Sequence, residues 1–120
     1  MRIALEDIRT IGADLVRPEC VLAHSSGLLI VPDWTDPGGV ALIAPDGRIV
    51  WQVTNDDLAD DLLKDPCGVQ RLPNGNTVIT SYGQRKPGAV KMLEVTPRKQ
   101  VVWTYRDDRK HGIHHFQILT

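Results

Sequence analysis

The sequence predicts an all-β chain built from repeated four-stranded antiparallel units, and three observations carry that prediction. The first is self-similarity. Val21-Leu-Ala-His-Ser-Ser-Gly-Leu-Leu-Ile-Val31 lies over Val69-Gln-Arg-Leu-Pro-Asn-Gly-Asn-Thr-Val-Ile79, with the turn residues Gly27 and Gly75 in register. Pro45-Asp-Gly-Arg-Ile-Val-Trp51 lies over Pro97-Arg-Lys-Gln-Val-Val-Trp103, so each unit ends in a Val-Trp step. The offset of roughly 48 to 52 residues falls where self-similarity marks stacked supersecondary units. The second observation is a series of short Val-, Leu- and Ile-rich runs separated by turn chemistry. The third is the near absence of helical periodicity.

Taken in order, the first unit offers strands at Glu19–His24, Leu28–Asp33, Val40–Ala44 and Arg48–Val53. Ser26-Gly27 and Asp46-Gly47 supply tight hairpin turns, because glycine accepts the positive φ such turns require. Asp36-Pro-Gly-Gly39 makes a wider connection between the second and third runs. The second unit repeats the plan with Gly68–Leu72, Thr77–Ser81, Ala89–Thr96 and Gln100–Tyr105. Asn74-Gly75-Asn76 is its strongest hairpin signal. Between the units, Asn55-Asp-Asp-Leu-Ala-Asp-Asp-Leu-Leu-Lys64 reads as a short helical insert capped by Asn55, with acids in its first turn and Lys64 near its end. A third unit starts at Phe116-Gln-Ile-Leu119, echoing Val69-Gln-Arg-Leu72.

Four antiparallel strands recurring at this period are the blade pattern of a β-propeller. The expected organisation is one partial propeller domain: about 15–54 as blade one, 55–66 as the helical insert, 67–105 as blade two, and 113–120 as the first strand of a third. Two blades and one strand cannot close a ring, and open blades leave unpaired edges and half-covered apolar faces. The missing blades are expected either from a longer protein or from homo-oligomerisation.

Composition narrows the partners. A net charge of −1 gives no electrostatic footprint for nucleic acid or for an anionic membrane. No apolar run approaches the roughly 18 residues that span a bilayer. The acids among the first residues do not fit a secretory signal, so a cytosolic location is expected. The two cysteines, Cys20 and Cys67, are too few for a disulfide framework. No phosphate loop, nucleophile elbow, His-Glu-x-x-His helix or paired-cysteine zinc signature occurs.

The candidate site comes from aligning the units. The inner strand of each blade lines the central channel and begins at its mouth. Pro18-Glu19 matches Pro66-Cys67, and the same register puts Ile113-His114 in the third unit. Glu19, Cys67 and His114 are therefore candidates for one ring around the axis. A carboxylate, a thiol and an imidazole converging there make a plausible divalent-metal or acid–base constellation. Glu19 is equally read as solvated, Cys67 as a small buried hydrophobe, and His114 as part of a basic loop. Trp51 and Trp103 are expected to pack between blades, while Asn74 and Gly75 build a turn. Trp34 and Tyr82 form another equivalent pair, and Asp33 reads as a turn cap. Of Gln70, Arg71 and Gln117, alternation points one into the channel.

On these residues the first half resembles the senescence marker protein/gluconolactonase/luciferin-regenerating-enzyme family of six-bladed propellers. The matching stretches are Arg17-Pro-Glu-Cys-Val-Leu22, Gly27-Leu-Leu-Ile-Val-Pro-Asp-Trp34, Gly38-Gly-Val40 and Ala44-Pro-Asp-Gly47. The resemblance implies a divalent metal such as Ca, Zn or Mg, with Glu19 in the place of a ligand, a small-molecule substrate, and metal-dependent hydrolysis of a lactone or ester. The second half, Leu72-Pro-Asn-Gly-Asn-Thr-Val-Ile79 with Glu94-Val-Thr-Pro97 and Val101-Val-Trp103, is similar to arylsulfotransferase-like and quinoprotein-like blades. There the motif is structural, and some members carry a channel histidine where His114 stands. The alternative to an enzyme is a propeller scaffold that presents its loops to a partner.

Overall fold

A computed structural model describes residues 1–12, 14–35 and 38–119. Eight strands form two four-stranded antiparallel sheets, each ordered as the chain runs. The first holds β1 (Leu22–Ala23), β2 (Leu29–Asp33), β3 (Gly39–Ile43) and β4 (Ile49–Thr54). The second holds β5 (Pro66–Arg71), β6 (Thr77–Ser81), β7 (Val90–Val95) and β8 (Val101–Arg106). The chain is thus all-β, with a lone 3-10 turn at Leu5–Asp7 among the described residues. The two sheets do not close on each other. The wide connection at Asp36-Pro37 and the terminal Thr120 lie outside the described residues.

The repeat is visible in the turns. The N–H groups of Gly27, Gly47, Gly75 and Lys99 donate to His24, Ala44, Leu72 and Thr96 respectively, at 2.8–3.0 Å. All four turn residues have positive φ, 86°, 90°, 87° and 65° in that order. Glycine meets that demand without a Cβ clash, and Lys99 adopts it as a single left-handed residue. In the Asn74 turn the side-chain Oδ1 also accepts from Asn76 N at 2.9 Å.

Alternation along each strand gives a sheet two faces. Ile30, Leu42 and Val53 of the first sheet share a core with Ile79, Leu93 and Val95 of the second. Val31, Ala41 and Ile43 point the other way and pack with Leu15 of the lead-in. The sheet-to-sheet core is the larger of the two, and each aliphatic side chain fully buried there contributes about 2 kcal/mol. Trp51 seals its rim: its indole Nε1 donates to Pro97 O at 2.9 Å, and the Arg71 guanidinium lies 5.8 Å from its ring centre.

The expected helix at Asn55–Lys64 does not form; the segment is a run of turns. Asp60 and Asp61 sit at φ 64° and 44°, which a right-handed helix excludes. Short polar side chains also bond locally instead of leaving the backbone to a helix. The Asp57 carboxylate accepts from Thr54 N, and Asn55 bonds Leu63 twice, Oδ1 accepting from N at 2.8 Å and Nδ2 donating to O at 2.6 Å. Leu58, Leu62 and Leu63 nonetheless pin the segment to the core.

After β8 the chain turns back along the second sheet. The side chain of Lys91, fully buried, bonds the Asp107 carboxylate and the carbonyl of Arg109 and so fixes the start of this tail. Further on, Gln70 of β5 clamps Ile118 from both sides, accepting from its N–H at 2.7 Å and donating to its carbonyl at 3.1 Å. The stretch expected as the first strand of a third unit therefore lies beside β5 without being a strand itself.

Candidate functional site

Both inner strands carry the same irregularity at the same place. In the first sheet Pro18 bridges Asp33, but the next pair is Leu22 with Ile30. In the second Pro66 pairs Ser81, but the next pair is Val69 with Ile79. Each inner strand thus carries one residue more than its partner, which is a bulge. Bulges re-aim side chains and recur beside functional sites. Here each bulge contains a cysteine. Cys20 stands at φ 54°, which cuts the expected strand at Glu19–His24 down to Leu22–Ala23.

The result is a cluster. The Sγ atoms of Cys20 and Cys67 lie 3.4 Å apart, and Cys67 Sγ is 3.2 Å from His114 Nε2. All three potential ligand atoms fall within 4.8 Å of one another. Both thiols are free; Cys67 is buried, Cys20 half-buried and His114 exposed. The alignment of Cys67 with His114 therefore corresponds to a real contact. Glu19, the carboxylate expected in this ring, is not among the grouped ligand atoms; its Oε1 lies 3.7 Å from Arg17 Nε instead. Its neighbour Cys20, passed over in the sequence alignment, supplies the third donor. The available signal was a second Pro-x-Cys-like step one repeat before Asp65-Pro-Cys67.

Aromatic rings wall the site. Trp34 and Tyr82, equivalent in the repeat, stack on each other with centres 6.5 Å apart. Tyr82 meets His114 edge-on at 5.1 Å, and His115 packs against His114 at 4.2 Å. Trp34 Nε1 donates to Pro66 O at 2.7 Å, and Arg17 lies over its ring at 4.9 Å. The lead-in is held by Asp33, whose carboxylate accepts from the N–H groups of Val16, Arg17 and Thr35 at 3.0–3.1 Å. Burial opposes charge on Asp33, yet those three donors hold its carboxyl below the usual carboxylate range.

Two glycines let the tail close over the cysteines. A Cβ on Gly112 would stand 1.8 Å from Tyr82 O, and one on Gly68 would stand 2.9 Å from His114 O. Thr80 Oγ1, accepting from Gly68 N at 2.7 Å, reaches His114 O at 3.3 Å. The position of His114 is thus set by backbone contacts on both sides.

Burial pushes the Cys67 thiol up to about 12, reinforced by the hydrogen bond and charge of Cys20 and by the charge of Glu19, with Trp34 acting the other way. A cleft of about 370 Å³ opens on the group, lined by Val21, Leu22, Val69, Phe116 and His115 beside the two thiols. A hollow of about 400 Å³ at the far ends of β1 and β5 is lined by His24, Leu28, Leu42, Arg71 and Pro73, with no cysteine or carboxylate among the described residues that line it.

No family model matches the sequence, and no curated protein matches it. Among solved structures, a protein of unknown function from Bacteroides caccae aligns with 90% of this chain at a TM-score of 0.65 and 19% identity. This chain spans 40% of that protein's length. The likeness is one of fold. No helix among the described residues is long and apolar enough to cross a membrane.

Proposed function

We propose that this chain is a segment of a β-propeller that holds a thiophilic divalent ion, zinc foremost, through Cys20, Cys67 and His114 at the mouth of the channel. The observation that carries the reading is the convergence of two thiols and an imidazole from three separate segments. A tetrahedral zinc with bonds of about 2.3 Å to sulfur and 2.0 Å to nitrogen separates its sulfurs by about 3.8 Å and sulfur from nitrogen by about 3.5 Å. The Cys20–Cys67 and Cys67–His114 separations of 3.4 and 3.2 Å are within a few tenths of an ångström of those values, and Cys20 and His114, within 4.8 Å of each other, close the set as the ion draws them in. Sulfur and nitrogen donors favour zinc over calcium or magnesium, which prefer oxygen. This donor set is not the Glu19-centred one that the gluconolactonase resemblance implies; it comes from the aligned units, with Cys20 in place of Glu19.

Three protein ligands leave one position open, as in catalytic rather than structural zinc sites. An ion so placed polarises a carbonyl and acidifies water, the chemistry that hydrolysis of a lactone or ester uses. The cleft beside the thiols, walled in part by Val21, Leu22, Val69 and Phe116, suits the body of a small neutral substrate. Binding must displace the Cys67 proton, so affinity rises with pH.

Isothermal titration with zinc tests the reading. The expected result is one ion per chain, lost in Cys20→Ser and His114→Ala and weakened in Glu19→Gln only as far as Glu19 reaches the ion. Equal zinc binding by the parent and by the Cys20→Ser, Cys67→Ser double variant would overturn it.

A second reading, a non-catalytic scaffold that completes its ring with further blades or further copies, is favoured by one observation. Val101, Trp103 and Tyr105 on β8 are 37%, 44% and 36% exposed, although Trp51, the counterpart of Trp103, is sealed by the neighbouring sheet.

A further inference from the structure

We propose that Cys20 and Cys67 are a redox pair, closing under peroxide to an intramolecular disulfide that removes two of the three metal ligands. The disulfide step rests on the thiol geometry alone; its effect on metal rests on the function proposed above.

The Sγ atoms are already 3.4 Å apart. A disulfide requires them to approach by about 1.4 Å. The two thiols are also unequal in access. Cys67 is 1% exposed, whereas Cys20 is half-buried on the cleft wall, so an oxidant entering the cleft meets Cys20 first. The pair straddles two sheets, 47 residues apart in the chain.

The chemistry balances in two steps. The Cys20 thiolate attacks hydrogen peroxide; a sulfur–oxygen bond forms, the oxygen–oxygen bond breaks, and hydroxide leaves, giving a sulfenic acid. Cys67 sulfur then attacks Cys20 sulfur, forming the disulfide and expelling hydroxide. His114 Nε2, 3.2 Å from Cys67 Sγ, takes the Cys67 proton and returns it to that hydroxide as water. The pair loses two electrons to the peroxide, and a dithiol reductant restores both thiols by exchange.

The test oxidises the reduced full chain with stoichiometric hydrogen peroxide, with and without prior loading with zinc. Intact mass and peptide mapping read the products. The expected result is a monomer lighter by two hydrogens, a peptide linking Cys20 to Cys67, and full recovery with dithiothreitol. Cys67→Ser should instead leave a sulfenic acid on Cys20 that dimedone traps, and His114→Ala should slow closure several-fold. Oxidation of Cys20 to sulfinic acid with Cys67 still a free thiol would overturn the proposal, as would chiefly intermolecular disulfides. Bound zinc should suppress closure. Closure at the same rate with zinc present would leave the disulfide standing and count against the metal site.

Discussion

The two sheets share one plan, yet they present opposite halves of it to solvent. In the first, the outer strand β4 is mostly half-buried, with Val53 buried and Val50 exposed, and the inner strand β1 is two exposed residues. In the second, the outer strand β8 is exposed throughout, while the inner strand β5 is six residues long and roofed by the tail. The outer strands share the step Val50-Trp51 and Val102-Trp103 but differ around it, and Leu22 and Ala23 of the inner strand stand against Gln70 and Arg71. The neighbour beside each strand differs as well. A blade-like unit thus specifies two sticky faces, and burial is decided by whether another unit arrives. The cysteine site lies where the inner strands of the two sheets meet, so it depends on the same neighbour relation.

The sharpest way to break that comparison is a matched pair of truncations. Trp51→Ala removes the rim of the shared core and its bond to Pro97, and should cost about 3 kcal/mol in urea unfolding. Trp103→Ala, at the equivalent place on an exposed strand, should cost under about 1 kcal/mol. Equal losses would mean that β8 is covered in solution after all.

A smaller effect comes from the tail. Gly112→Ala puts a methyl into Tyr82 O and should lift His114 from the cysteines, lowering stability by about 2 kcal/mol. Zinc affinity should fall at least about tenfold with it, which is roughly 1.4 kcal/mol. Unchanged zinc affinity in this variant would show that His114 is not a ligand. Next, Asn55→Ala breaks both bonds to Leu63 and should cost about 1–2 kcal/mol without touching the metal.

A separate effect is on pH. The Cys67 thiol is raised in the folded protein from 9.0 to about 12, so folding favours its protonated form. That stabilisation is complete below about pH 9 and is lost as pH rises toward 12. The unfolding midpoint of the metal-free protein should fall more steeply over that range than that of Cys67→Ser. Parallel curves would show that the thiol is not desolvated as the structure implies.

Much of this was legible in the sequence because strands and turns are local. Gly27, Gly47 and Gly75 announce their turns by residue type, and the Val-Trp steps mark both outer strands. The acid-rich segment at Asn55–Lys64 misled because spacing alone suits a helix, whereas its Asp and Asn side chains bond their own backbone more readily. The Cys67–His114 contact was legible because the repeat sets their height. Cys20 was not, because a bulge and a positive φ shift it off the register that alignment reads. The partnership of Lys91 with Asp107 was equally hidden, since a lysine in mid-strand ordinarily signals an exposed face.

The most direct test of the central claim is the absorption spectrum of the reduced protein titrated with cobalt(II), a spectroscopic stand-in for zinc. The account predicts a tetrahedral spectrum saturating at one ion per chain, with sulfur-to-cobalt charge-transfer intensity for two thiolates that falls by half in Cys20→Ser. An octahedral, aquo-like spectrum without charge transfer would show that Cys20, Cys67 and His114 meet without forming a metal site.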